Sequence, residues 1–111
     1  MGDKRTVACT LDPRSMRRRR SRWHDLAARA FVHRGLTQSG LRLVFRNEPG
    51  VEEELRELAR LERRCCAFAD WTVGTADGLA ILDVEGAGDE AVAAAQAMFG
   101  SLEASASPSR R

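Results

Sequence analysis

Hydrophobic positions along the chain follow two periods, and the switches between them mark its elements. Val7, Cys9 and Leu11 alternate with other residues, the period of two that predicts a short strand over 7–11. Asp12-Pro13 then reads as a helix start, with Asp as cap and Pro at the first helical position. Met16, Trp23, Leu26, Ala27, Ala30 and Phe31 recur at helical spacing, predicting a helix to about Arg34 that Gly35 stops. "GLRLVFR" (40–46) returns to alternation through Leu41, Leu43 and Phe45. Asn47-Glu48-Pro49-Gly50 breaks the chain, and a second helix is expected over about 51–67. "WTVGT" (71–75) and "LAILDVE" (79–85) read as strands joined by a tight turn, with Gly78 suited to positive φ. Asp89 is expected to cap a third helix whose face is Val92, Ala95, Phe99 and Leu102.

The order β-α-β-α-β-β-α predicts an α/β or α+β fold, a single two-layer domain over 7–102. Helices would pack on a four-stranded mixed sheet. Residues 1–6 and the small, polar stretch 103–111 are expected to be disordered. No internal repeat is visible. A chain of 111 residues, 43% hydrophobic and 31% charged, can bury one core without staples. No apolar run approaches the ~18 residues of a membrane span, and the first residues lack the apolar stretch of a signal peptide. A cytoplasmic protein with no membrane association is therefore expected. Its three cysteines, an odd number in a reducing compartment, favour free thiols or a metal site over a disulfide scaffold.

Charge is unevenly spread. Residues 1–50 hold twelve Lys/Arg against four Asp/Glu, and residues 51–111 hold six against twelve. "MRRRRSR" (16–22) invites a phosphate-binding reading. On a helix, however, these arginines point in several directions around Met16 and Trp23 and leave no aligned strip. Nucleic acid is accordingly not the expected partner; two halves that attract each other within one fold explain the asymmetry better. His24 and His33 stand apart from each other and from any metal-ligand spacing, and neither a phosphate-cradling glycine loop nor a recognisable catalytic constellation is present. A thiol enzyme is the weaker alternative, and no catalytic residue is assigned.

The second helix carries the most chemistry. On a wheel with Val51 at zero, Leu55 falls at about 40°, Leu58 at about −20° and Ala59 at about 80°. Cys65 and Cys66 straddle this apolar stripe at about −40° and 60°, and Glu62 lies inside it at about 20°. Glu62 precedes the two cysteines by three and four residues, the spacings at which helical side chains touch. A carboxylate centred on a buried face needs an answering group. That group could be a thiol proton, a metal ion, a partner protein or an Arg, with Arg19 and Arg20 flanking the stripe of the first helix. Cys9 shares a strand face with Val7 and Leu11, so three thiols could converge beside Glu62 if the second helix packs over that strand. Soft thiolates suit mercury, cadmium, zinc or monovalent copper, and Glu62 could add an oxygen ligand for zinc. The opposing reading is packing alone: free Cys is among the most buried residue types. A helix C-terminus also disfavours thiolate, so neutral, inert thiols are expected without metal.

"ACTLDP", "RRSRW" and "LERRCCAFADW" resemble a small actinobacterial-type Cys-Cys domain that occurs alone, or appended to or encoded beside regulators of the mercury-resistance (MerR) type. The likeness covers most of residues 8–100. It rests on the segment around Cys9, the Arg19–Trp23 spacing, and Glu62 with Cys65, Cys66 and Phe68. Family members often have Pro or Ser where this chain has Ala67, and an aromatic residue where it has Ala69; Trp71 keeps its ring. The resemblance implies that Cys9, Cys65, Cys66 and Glu62 act together, with Arg19 and Phe68 around them. It also suggests a transcriptional regulator as partner, while a metal ion or metalloid is the ligand that the thiols' own chemistry suits. The expectation is thus a thiol domain that binds a soft metal or metalloid or senses thiol-reactive species. The alternative is a structural or interaction domain with buried, inert cysteines and an Arg19–Glu62 pair.

Overall fold

The computed structural model describes residues 12–65, 69–100 and 102, with Cys65 described by its backbone alone. The element order is α1 (Pro13–Ala30), β1 (Phe31–Leu36), β2 (Gly40–Arg46), α2 (Val51–Cys65), β3 (Ala69–Ala76), β4 (Leu79–Gly86) and α3 (Asp89–Met98). The strand expected over 7–11 and the termini expected to be disordered lie outside the described residues.

Local signals set most of the boundaries. The Asp12 carboxylate accepts the Ser15 backbone N–H at 2.8 Å, with Pro13 opening α1. Asp77 and Gly78 both take positive φ, 55° and 78°, the pattern of the tight turn that suits a right-handed twisted hairpin, and they join β3 to β4. Two boundaries differ from expectation. α1 ends at Ala30, and 31–36 is a strand. Phe31 leaves the helix with extended backbone and pairs opposite Phe45, and Gly35 sits opposite Arg42 within the ladder. Phe31 and Val32 suit a pleated strand as well as a helix, and pairing with β2 decides the matter. α3 is capped by Gly88 rather than Asp89; Asp89 instead opens the helix, where its charge meets the positive dipole end. Its buried stripe runs through Ala91 and Ala95, with Val92 half-buried.

Two hairpins join through β2 and β4 into a four-stranded sheet, order β1-β2-β4-β3. Every pairing among the described residues is antiparallel, in place of the expected mixed sheet. The reason is that the 31–36 strand returns directly into β2, so no helix crosses between neighbouring strands. The described chain thus reads as two successive αββ units followed by α3. Gly40 is required where β2 meets β4, because a Cβ there would collide with the Val84 carbonyl.

One sheet face is apolar. Leu41, Leu43, Phe45, Trp71, Ala80, Leu82 and Val84 are buried on it, under Trp23, Leu26, Ala27 and Ala30 of α1, Val51, Leu55, Leu58 and Ala59 of α2, and Ala91, Ala95 and Phe99 at α3. The register explains this: Trp71, Val84 and Leu41 form one row across three strands, and Val73, Leu82 and Leu43 the next. The result is the expected two-layer α+β domain. No helix among the described residues is long and apolar enough to cross a membrane.

Candidate functional site

α1 and α2 run in opposite senses. Arg29, near the end of α1, reaches the Pro49 carbonyl just before α2, Arg22 grips Glu54 with two hydrogen bonds of 3.0 and 2.8 Å, and Arg19 meets Glu62. The start of α1 therefore lies beside the end of α2.

Glu62 sits at that end on the inner side of α2, as its wheel position predicted, and only 2% of it is exposed. Its charge is answered twice from α1. The Arg19 guanidinium lies 3.3 Å from Oε2, with 14% of that side chain exposed, and the Trp23 indole N–H donates to the same oxygen at 2.8 Å. Arg19 and Trp23 are four residues apart, so α1 presents both on one face. The other side of Trp23 packs edge-on against Phe99, with ring centroids 4.9 Å apart, and Phe99 meets Trp71 in the same manner at 6.0 Å. The buried carboxylate is thus set in an aromatic wall that joins all three helical regions to β3. The Arg63 guanidinium donates to the Trp71 carbonyl at 2.6 Å and pins the end of α2 to β3.

Arg19 was legible as a partner from its place beside the stripe of the first helix. Trp23 was legible only as core, since a tryptophan on an apolar face looks the same whether or not its N–H is used. Cys9, Cys66 and Phe68 lie outside the described residues, and Cys65 closes α2, three residues after Glu62. Arg20 is exposed and does not turn inward. His24 lies on α1 and His33 on β1 opposite Val44. Among the described residues no group of three or more His, Cys, Asp or Glu could hold a metal ion.

This geometry restricts what Glu62 can do. Its Oε2 accepts from a guanidinium and an indole, and a metal ion drawn to that oxygen would sit beside the positive charge of Arg19. A ligand at Oε2 would therefore have to compete with both partners. Held by both, Glu62 is a fixed anion that locks the second and third turns of α1 to the last turn of α2. Comparison of the chain with protein-family models, curated proteins and solved structures finds no match.

Proposed function

We propose that the chain is a small cytoplasmic thiol domain that captures a soft metal ion or metalloid, or responds to thiol-reactive species, through Cys9, Cys65 and Cys66. Glu62 supports the site and does not ligate. One observation carries the reading: the opposed α1–α2 pair, locked by Arg19, Trp23 and Glu62. The start of α1 at Pro13 lies beside the end of α2 at Cys65, and in the sequence Cys9 precedes the Asp12 cap by three positions while Cys66 follows Cys65 directly, which supports a shared site at that end. The start of α1 also brings its partial positive charge there, which favours thiolate and offsets the negative end of α2. A transcriptional regulator of the mercury-resistance type is the partner suggested by the resemblance.

Anaerobic titration of the reduced protein with mercury, cadmium and zinc, followed by native mass spectrometry, tests this. A one-to-one complex is expected, weakened in both Cys9→Ser and Cys65→Ser; binding unchanged in the two variants would overturn the shared site. A second reading is favoured by the Arg19–Glu62 pair itself, which satisfies the carboxylate without any metal. In that reading the domain is a scaffold or interaction module with inert cysteines. Slow labelling of the native thiols, the same with and without metal, would support it over the first.

A further inference from the structure

The described chain contains fourteen arginines, and nine of them are engaged. Arg19, Arg22, Arg42, Arg46, Arg56 and Arg60 meet carboxylates, while Arg29, Arg34 and Arg63 donate to backbone carbonyls. The remaining five, Arg14, Arg17, Arg18, Arg20 and Arg64, are exposed and make no ion pair or hydrogen bond among the described residues. They are not scattered. Four occupy the first two turns of α1 and the fifth the last turn of α2, which the opposed packing brings together at one end of the pair. The structure thereby sorts the "MRRRRSR" run: Arg19 turns inward to Glu62, Arg22 is held by Glu54, and the others stay outside. Arg14, Arg17 and Arg18 keep the i, i+3, i+4 spacing of a single helix face, on the side away from Trp23. The neighbouring acid, Asp12, is already engaged as the helix cap.

We propose that this arginine-lined end of the α1–α2 pair binds the phosphate backbone of double-stranded nucleic acid without reading its sequence. Guanidinium groups bind phosphate oxygens in a bidentate fork, and a stretch of unpaired cations suffices for affinity when counterions are released. A duplex is favoured over a single strand because Trp23, Phe31, Phe45, Trp71 and Phe99 are all buried, leaving no stacking platform among the described residues. It is favoured over an acidic protein because the described residues there include no cluster of apolar anchors of the kind that holds a protein partner. Among the described residues Met16 is its one large exposed hydrophobic, since Val32, Leu36 and Met98 lie on other elements.

Fluorescence anisotropy with two labelled 25-base-pair DNA duplexes of unrelated sequence, across about 50 to 200 mM salt, tests the proposal. Both should bind alike. With four to five phosphates neutralised, the slope of log K against log salt should be about −4, a loss of roughly 250-fold over that range. The triple variant Arg14→Gln/Arg17→Gln/Arg20→Gln should flatten the slope to about −1.5. The triple variant Arg42→Gln/Arg56→Gln/Arg60→Gln removes the same charge from paired arginines and should leave the slope in place. Circular dichroism and tryptophan emission verify that both variants are folded. Absence of binding at the lowest salt, equal losses in the two variants, or tighter binding to polyglutamate than to duplex would each overturn it.

Discussion

Glu62 is the residue on which the helix pair turns. A carboxylate taken out of water costs several kcal/mol unless its charge and lone pairs are met, and here Arg19 and Trp23 meet it from the facing helix. Removing one member of such a pair leaves the other charge stranded, so Glu62→Leu should destabilise the domain by about 3–5 kcal/mol. Glu62→Gln keeps an acceptor for the Trp23 N–H and should cost less. The double variant Arg19→Met/Glu62→Leu should be more stable than Glu62→Leu alone, because no buried cation is then left without its anion. Urea unfolding followed by the emission of the buried Trp23 and Trp71 measures all three. Equal stability of the single and double variants would show that Arg19 simply swings out to water. Sequence alone placed Glu62 on the buried face and Arg19 within reach, because both follow from helix periodicity. The use of the Trp23 N–H depends on where two helices cross, and no periodicity encodes that.

The segment 13–36 shows how local preference and pairing share the decision between helix and strand. The start of α1 is written in Asp12 and Pro13, and the structure keeps it. Its end is not, since Phe31 continues the helical apolar spacing and only the partner strand pulls it into β1. The cap gives a test of the legible half. The backbone N–H of Ser15 is the largest influence on the Asp12 carboxyl, followed by the Ser15 side chain, with a smaller contribution from the Arg18 charge. Together these hold it below the usual aspartate range. A carboxyl with a lowered folded-state pKa stabilises the fold above its unfolded pKa, about 3.9. That contribution is lost as pH falls through the folded value. The first turn of α1 should therefore fray only under more acid conditions than an ordinary aspartate cap would give, and Asp12→Asn should abolish this dependence. Carbon-detected NMR titration of the Asp12 carboxyl reads it directly. A midpoint at or above the ordinary value would mean that the Ser15 bond does not form.

Across the domain, two αββ units share one core, although no repeat shows in the sequence: each unit need only supply an apolar helix face and an alternating hairpin, and many sequences do that. The layer arrangement was legible for the same reason, whereas the strand partners were not, because pairing joins residues far apart in the chain. The opposed helices then give the thiol reading a consequence for stability. A ligand that binds the folded chain better than the unfolded one stabilises it by about 2.7 kcal/mol at a hundredfold excess over Kd. For a chain of this length that is a rise in melting temperature on the order of 10 °C. Unfolded cysteines also bind soft metals, so the rise appears only if the fold gathers the thiols better than a loose chain can. Cadmium should raise the melting temperature of the reduced protein, more at pH 8 than at pH 6 because bound thiols must lose protons, and Cys65→Ser should remove most of the rise. In Glu62→Gln the domain should melt earlier yet keep the cadmium increment, as expected of a group that supports the site without touching the metal. If the increment disappears in Glu62→Gln while that variant remains folded, the carboxylate is a ligand after all and Arg19 must give way to the ion.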